Sequence, residues 1–143
     1  MATSLTFTSA GFMQGSTFSS AQSANTRYDI LSADATNTRR IYGLSVTSTD
    51  GSPQTVKFHL HDGSQAFQIF TLNIIANSGN SITAAAIDAF GSVYGASVFQ
   101  KQRDANGVPY FNIPALWKLQ MEYNTAILAS EGLFVLVFGE TYA

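Results

Sequence analysis

The sequence contains no cysteine. Disulfide bridges, thiol nucleophiles and thiolate metal ligands are therefore excluded. A chain of 143 residues buries roughly two-thirds of the surface that it exposes when unfolded, so its hydrophobic core can hold it together without a covalent or metal staple. We expect one folded domain.

Charged side chains are also scarce. They make up 11% of the residues, against about 25% in a typical soluble domain. Seven basic and nine acidic residues give a net charge of −2, which provides no basic patch of the kind that nucleic acid binding requires. Eleven Phe and six Tyr indicate a folded rather than a disordered chain. A polar surface made of Ser, Thr, Asn and Gln is cheap to desolvate, which suits a protein that packs against other protein.

Long apolar runs and common catalytic signatures are missing as well. No segment approaches the ~18 consecutive apolar residues of a membrane-spanning helix, and the start, MATSLTFTSAGFMQG, lacks the basic and apolar regions of a signal peptide. No phosphate-binding loop of the form G-x-x-x-x-G-K-[ST] or G-x-G-x-x-G occurs, and no G-x-S-x-G nucleophile elbow. We therefore expect no enzyme activity, no cofactor and no small-molecule substrate, and no binding to nucleic acid or membranes.

The two histidines, His59 and His61, provide the one pattern that suggests a metal. Spacing of two residues on a strand places both side chains on one face, where they and Asp62 could bind a divalent cation. The pair resembles the H-x-H motif of cupins. The carboxylate that follows this motif in cupins and its third histidine are both missing here. We interpret the pair as the solvated face of an amphipathic strand, and keep a cupin-like metal enzyme as the weakest hypothesis.

Alternation of apolar and polar residues predicts several short strands. It is clear in residues Tyr42–Thr47 and again in Val56–His61, as expected for strands with one buried face. Between them, Asp50–Pro53 (DGSP) has the composition of a turn. We therefore predict a β-hairpin over Ile41–Leu60.

Four further segments are less regular. In AFQIFTLNIIA (residues 66–76) the apolar positions switch parity, which indicates a β-bulge or a strand buried on both faces. Residues 81–90 (SITAAAIDAF) are compatible with helix or strand. A short strand is predicted at Val98–Arg103. The two prolines of Val108–Pro114 restrict that segment to a sheet edge or an irregular extended stretch.

Two strands near the end of the sequence complete the pattern. Trp117, Leu119, Met121 and Tyr123 share one face, which we assign to the core, although Trp117, Tyr123 and Tyr110 could instead form a sugar-binding platform. Leu133–Phe138 (LFVLVF) has no polar position and predicts a central strand buried on both faces. Roughly seven to nine short strands in all indicate an all-β, antiparallel two-sheet sandwich or jelly roll over residues 27–143.

The first 26 residues differ from the rest because they carry no charge. They are rich in Ser, Thr, Ala and Gly, with three phenylalanines, Phe7, Phe12 and Phe18. We predict an extended N-terminal arm over residues 1–26, with one short strand at Leu5–Thr8. Such an arm is either a loosely ordered terminus or a segment that becomes ordered on a neighbouring subunit.

Four stretches together resemble small jelly-roll proteins of tailed bacteriophages. They are IYGLSVTSTDGSPQTVKFHLHDG, LNIIANSGNS, DANGVPYFNIPALWKLQMEY and LFVLVFGETY, and the resemblance spans residues 40–142. It lies in the order of strands and turns, with "TSTDG", "DG" and "D-x-N-G-x-P-Y" turns and a last apolar strand before "G-x-x-Y". The residues at 74–76 lack a proline that the pattern would have. The resemblance implies a capsid decoration or cement protein, often a trimer between capsomers.

The leading hypothesis is therefore a virion structural protein that reinforces the outer surface of a phage capsid as a homo-oligomer, with the major capsid protein as its partner. Its location would be the virion surface, after assembly in the host cytoplasm. Phe7, Phe12 and Phe18 would anchor the contact, since buried aromatic residues carry much of an interface's energy. Arg39 and Arg40 would meet an acidic patch on the shell protein. The alternative is a carbohydrate- or receptor-binding sandwich of a phage fibre or spike.

Overall fold

A computed structural model describes residues 9–80, 83–89 and 102–142. All regular secondary structure in these ranges is β-strand, and none of it is a helix long and apolar enough to span a membrane. The strands are β1 (Ser9–Phe18), β2 (Tyr28–Leu31), β3 (Thr38–Ser48), β4 (Gln54–His61), β5 (Ala66–Ile74), β6 (Ile87–Asp88), β7 (Gln102–Arg103), β8 (Pro109–Ile113), β9 (Lys118–Tyr123) and β10 (Leu133–Tyr142).

The strands form two antiparallel sheets. The first, the β10 sheet, has the order β1-β10-β3-β8-β7, and β6 also pairs with β3; the second, the β9 sheet, has the order β2-β9-β4-β5. The pairs are nested along the chain, because β1 pairs with β10, β2 with β9, β3 with β8 and β4 with β5. A nested ladder that is folded over into two sheets is a jelly roll. The prediction of an all-β, two-sheet antiparallel fold is confirmed.

The core lies between the two sheets and takes alternate residues from each strand. This arrangement follows from the period of two in a β-strand, which sends every second side chain to the same face. β9 contributes its apolar parity as predicted, since Leu119, Met121 and Tyr123 are fully buried. Their largest fully buried partners from the other strands are Ile30, Ile41, Leu44, Val46, Phe58, Leu72, Ile74, Ile113 and Leu133.

The change of parity in β5 is caused by a β-bulge. Phe58 of β4 pairs with Phe70, but His59 pairs with Gln68, so Ile69 is an extra residue in β5. Because of this extra residue, Phe67 lies on the same, inward side of the strand as Phe70 and Leu72, although it is an odd number of residues away from them. Of the two readings that the sequence left open, the bulge is confirmed.

The predicted hairpin over Ile41–Leu60 is wrong. β3 pairs with β10, β8 and β6, whereas β4 pairs with β5 and β9, so the turn between β3 and β4 crosses from one sheet to the other. The alternation of apolar and polar residues cannot distinguish two strands that pair in a hairpin from two strands that lie in opposite sheets. In both arrangements each strand has one buried face.

A buried polar network holds this crossover in place. Asp50 is fully buried, and its Oδ1 accepts a hydrogen bond from the backbone N–H of Ser52 at 2.9 Å. Gln54 is also buried: its Nε2 donates to the carbonyl of Thr125 at 2.9 Å, and its Oε1 accepts from the Thr125 N–H at 3.1 Å. The two side chains contact each other at 3.4 Å. Polar groups that are satisfied in this way can be buried without a large penalty.

The N-terminal segment differs from the predicted arm in the residues that the structure describes. β1 (Ser9–Phe18) pairs with β10 along its whole length and is an edge strand of the domain's own sheet. Its ladder with β10 pairs the backbone groups on one side of the strand, and Phe12 and Phe18 pack against the core, so this uncharged segment is ordered on the chain's own domain. The predicted strand at Leu5–Thr8 lies outside the described residues.

Three other expectations have mixed outcomes. Leu133–Phe138 is central as predicted, but only one face is buried, since Phe134 and Phe138 are exposed. In the ambiguous segment 81–90, the described part contains the short strand β6, which pairs with β3. Of the strand predicted at Val98–Arg103, only Gln102 and Arg103 lie among the described residues, and they form β7. β8 is extended, but it is a regular strand between β3 and β7 rather than the sheet edge or irregular stretch that the two prolines predicted.

Replacing Gly139 should test the packing of β10 against β3. A Cβ at this position would overlap the backbone carbonyl oxygen of Arg40 on the neighbouring strand, and backbone cannot swing aside as a side chain can. We expect Gly139→Ala to lower the free energy of unfolding by about 1–3 kcal/mol in urea denaturation.

Gly15 of β1 is the matched control, since a Cβ there would have no atom within 4 Å. Gly15→Ala should change the free energy of unfolding by less than about 0.5 kcal/mol. Equal effects of the two substitutions would contradict the described approach of β3 and β10.

Candidate interaction surface

The outer faces of the two sheets differ in chemistry. On the β9 sheet, Lys118 Nζ lies 3.2 Å from Asp29 Oδ2, and His59 Nε2 lies 3.2 Å from Glu122 Oε1. Gln120 Nε2 also donates to Asp29 Oδ1 at 2.8 Å. This face is therefore a set of polar and ionic contacts between neighbouring strands.

The outer face of the β10 sheet is apolar along its middle. Phe134, Leu136 and Phe138 alternate with core residues along β10 and point away from the core; we name these three residues the β10 ridge. Phe134 and Phe138 are 39% and 41% exposed. Beside them on the edge strand β1, Met13 is 70% exposed and pairs with Phe138. Isolated exposed apolar residues are common on soluble proteins, but a contiguous row marks an interaction site.

The ridge stands out because its neighbours across the ladder are small. Leu136 lies between Gly15 of β1 and Ser45 of β3. Phe138 lies beside Gly43, and its ring covers that glycine so closely that an added Cβ would overlap it. The result is an apolar row with two shallow hollows along it. One hollow is lined by Met13 and Phe138, and the other by Phe134 and Leu136.

An aromatic cluster around Arg40 lies at one end of the same face. The guanidinium carbon of Arg40 lies 4.0 Å from the ring centroid of Tyr110 and 5.0 Å from that of Tyr142. Its Nε donates to Asn112 Oδ1 at 3.3 Å. A hydrogen bond with Tyr42 raises the pKa of Arg40. The Arg40 cluster joins β3, β8 and β10, because its members come from all three strands.

The cluster also contains an acidic partner for one of its tyrosines. The hydroxyl of Tyr142 donates a hydrogen bond to Glu140 Oε2. This bond, and a second one with Tyr42, raise the pKa of Tyr142. The ridge and the cluster together make one continuous outer face, apolar at its middle and polar at its end.

The three phenylalanines that the sequence suggested for a partner contact, Phe7, Phe12 and Phe18, do not share one location. Phe7 lies outside the described residues. Phe18 is buried in the chain's own core, edge-to-face with Tyr123 at 5.9 Å, and the partly buried Phe12 packs against the same core. Even-numbered positions of β1 point inward, so this strand presents Met13 on its outer face.

Arg39 and Arg40 do not form one basic patch. Adjacent residues of a strand point to opposite faces, so Arg39 lies on the inner face with 6% of its surface exposed. Arg40 lies on the outer face, within the cluster described above. Their roles in partner binding stay predictions, but each would have to act separately.

Sequence reasoning missed the ridge. Leu133–Phe138 has no polar residue to show that one of its faces is outward. The sequence does contain small residues, Gly43, Ser45 and Gly15, that lie beside the ridge on the neighbouring strands. They can be recognised as neighbours of the ridge only when the strand pairing is known.

The two histidines of β4 have separate partners, and the aromatic platform residues are dispersed. His59 contacts Glu122 and is 6% exposed, so the predicted solvated face is wrong for this residue. His61 Nδ1 accepts a hydrogen bond from the Gly63 N–H at 3.0 Å. Among residues 9–80, 83–89 and 102–142, no group of three or more His, Asp or Glu side chains could hold a metal ion. Tyr123 is in the core and Tyr110 is in the Arg40 cluster. The half-buried Trp117 stacks on Phe67 with ring centroids 6.1 Å apart.

No known family model and no curated protein matches this chain. Among solved structures it is similar to a protein chain of infectious bursal disease virus Gt strain, with a TM-score of 0.31 and 11% identity, covering 95% of this chain and 32% of that one. A chain of the Gx strain gives a TM-score of 0.27 and 10% identity, covering 96% and 31%. The protein spans about a third of the length of both. Similarity at these scores carries no argument about function, which is argued below from the surface itself.

Replacing Arg40 by lysine should test the aromatic cluster. Lysine keeps the charge but lacks the planar group that lies over Tyr110 and Tyr142. We expect Arg40→Lys to lower the free energy of unfolding by about 0.5–1 kcal/mol in urea denaturation. Arg27→Lys, at an exposed position, is the control and should have no measurable effect. A neutral Arg40→Lys would show that the cluster does not stabilise the sheet.

Proposed function

We propose that this protein is a structural virion protein that binds the outer surface of a phage capsid shell and reinforces it as a homo-oligomer. The observation that carries the proposal is the exposed β10 ridge. Its three apolar side chains lie at the middle of the β10 sheet, while the opposite face of the sandwich carries the Lys118–Asp29 ion pair and other polar contacts. The low fraction of charged residues in the chain agrees with a protein whose surface is in contact with other proteins in the assembled particle.

Covering the ridge would remove contiguous apolar surface from water, which favours binding. Large apolar side chains with small neighbours are well suited to enter hollows on a partner, and aromatic anchors of this kind dominate binding energies. The proposed partner is the major capsid protein of the shell. The Arg40 cluster, at the end of the same face, would supply polar contacts at the rim of the interface.

The decisive experiment compares two phenylalanines of equal exposure. Phe138 of the ridge is 41% exposed, and Phe67 of the β9 sheet is 42% exposed. We expect Phe138→Lys to weaken binding to shells that lack the protein by roughly tenfold or more, measured by co-sedimentation. Phe67→Lys should bind as the unaltered protein does.

Both variants are to be checked for an unchanged thermal unfolding midpoint, since each replaces an exposed side chain. Normal shell binding by a folded Phe138→Lys protein would contradict the assignment of the ridge. Failure of the unaltered protein to bind any shell would contradict the proposed function itself.

The proposed oligomer is a trimer. Multi-angle light scattering of the purified chain should give three times the mass of the 15.3 kDa chain. A protein of monomer mass at all concentrations tested would contradict a homo-oligomer that forms before it reaches the shell.

One observation favours a second candidate, the binding of carbohydrate. Phe67 is 42% exposed and stacks on the half-buried Trp117, and aromatic side chains of this kind can bind a sugar ring. Binding of the protein to an array of glycans, lost in Phe67→Lys and kept in Phe138→Lys, would support this candidate over the shell contact.

A further inference from the structure

The edge strand β1 has a strand partner on one side only, in the part of the chain that the structure describes. It lies at the end of the β10 sheet and pairs with β10 over all ten of its residues without a register shift. An open edge can pair with a strand of another chain, and proteins usually prevent this with short length, charge, proline or a bulge. The sequence of β1, SAGFMQGSTF, contains neither charge nor proline. β1 therefore has none of these protections.

The hydrogen bonds of the sheet show which residues of β1 face the open edge. The N–H of Thr49 donates to the carbonyl of Gly132, in register with the ladder between β3 and β10, whereas the N–H of Ser48 donates to Ser78 instead. Residues of an antiparallel strand bond alternately to one side and to the other. Even-numbered residues of β10 thus bond to β3, and odd-numbered ones bond to their even-numbered partners in β1. The odd-numbered residues of β1 consequently direct their N–H and C=O groups to the open edge.

The same odd-numbered residues are accessible. Gly11, Met13, Gly15 and Thr17 are all exposed, and the exposed fraction of Met13 reaches 70%. The carbonyl of Gly15 accepts a hydrogen bond from the side chain of Gln14 at 3.3 Å, in an exposed contact. This contact agrees with a carbonyl that points away from β10.

Two glycines flank Met13, and the chain's own fold requires neither of them. A Cβ at Gly15 would have no atom within 4 Å, and one at Gly11 would meet nothing closer than 4.0 Å. Neither residue has a positive φ. Glycine inside a strand weakens it, and often marks a place where another backbone approaches closely. The open edge is the side of β1 on which such a backbone has room.

We propose that β1 pairs with β1 of a second copy of this chain, antiparallel and about a two-fold axis at Met13. Met13 then lies opposite Met13 of the second copy. Gly11 lies opposite Gly15, and Ser9 lies opposite Thr17. Each of these pairs joins two residues whose N–H and C=O groups point to the open edge. A shift by one residue would bring in even-numbered residues, whose groups already bond to β10.

The chemistry of the edge favours a second copy as the occupant. Two uncharged strands meet without electrostatic repulsion, and this register matches β1 with itself over residues 9–17. Phe138 pairs with Met13 within each copy, so the joined sheet carries the row Phe138–Met13–Met13–Phe138 on its outer face. The row buries the exposed methionines against each other and makes the β10 ridges of two copies one continuous apolar surface.

The contact is two-fold and reciprocal, so it cannot close a trimer. In the proposed particle it joins copies that belong to neighbouring trimers; this placement rests on the proposed function, whereas the pairing itself does not. One strand from each copy gives a small interface compared with the roughly 800 Å² per partner of a stable complex. We therefore expect the pairing to be populated at protein concentrations on the order of 1 mM rather than in dilute solution.

Disulfide cross-linking of the free protein tests the pairing, because the chain has no cysteine of its own. Opposite residues that exchange hydrogen bonds have Cα atoms about 5.5 Å apart, within the range of a disulfide. We expect Met13→Cys to form covalent dimers with oxidised glutathione roughly tenfold faster, or more, than Gly15→Cys does. Position 15 is the matched control, since its counterpart in the second copy lies four residues along the strand, roughly 14 Å away.

A mixture of two variants tests the register without altering Met13. Gly11→Cys and Gly15→Cys proteins, one of them tagged so that dimers can be told apart by mass, should cross-link with each other and not with themselves. Adding Met13→Lys to both chains places two positive charges opposite each other and should abolish the mixed dimers, whereas Met13→Leu should keep them. All variants are to be checked for an unchanged thermal unfolding midpoint.

Cross-linking of Gly15→Cys at least as fast as that of Met13→Cys would overturn the proposal, and so would the absence of mixed dimers between Gly11→Cys and Gly15→Cys. Because these experiments contain no shells, their failure leaves the shell contact untouched. Loss of shell binding in Phe138→Lys likewise says nothing about the edge of β1, so the two failures can be told apart.

Discussion

The register of β10 between β1 and β3 is the constraint on which the rest of the structure depends. It places Leu133, Val135 and Val137 in the core, and the same alternation leaves Phe134 and Phe138 outside. Because the side-chain period of a strand is two, a slip by one residue would exchange the two sets. The close approach of Gly139 to the backbone of β3 helps to fix this register.

The two ends of the sandwich follow from that central ladder. Beyond one end of β3, buried Asp50 and Gln54 hold the crossover into the β9 sheet. At the other end, Arg39 and Arg40 point to opposite faces of the sheet. Arg39 is buried on the inner face, and Arg40 joins the aromatic cluster at the end of the outer face. A single strand thus connects the core and the candidate interaction surface.

Most of the fold could be predicted from the sequence, and most of the surface could not. Period-two alternation identified β3, β4 and β9, and a change of parity located the bulge at Ile69. The same alternation could not show that β3 and β4 lie in different sheets, because that depends on pairing between residues far apart in the chain. For the same reason the outer face of Leu133–Phe138 became visible only in the structure. The separation of Arg39 from Arg40 follows instead from the local alternation of a strand, which the prediction of one basic pair overlooked.

The central claim is that the outer face of the β10 sheet is covered in the assembled particle. Hydroxyl-radical footprinting read by mass spectrometry measures this directly, by comparing the free protein with the protein bound to the shell. We predict that Met13, Phe134 and Phe138 lose most of their oxidation on binding, while Phe67 and Leu116 on the other parts of the surface stay unchanged. Equal oxidation of the first three residues in the free and bound protein would contradict the account.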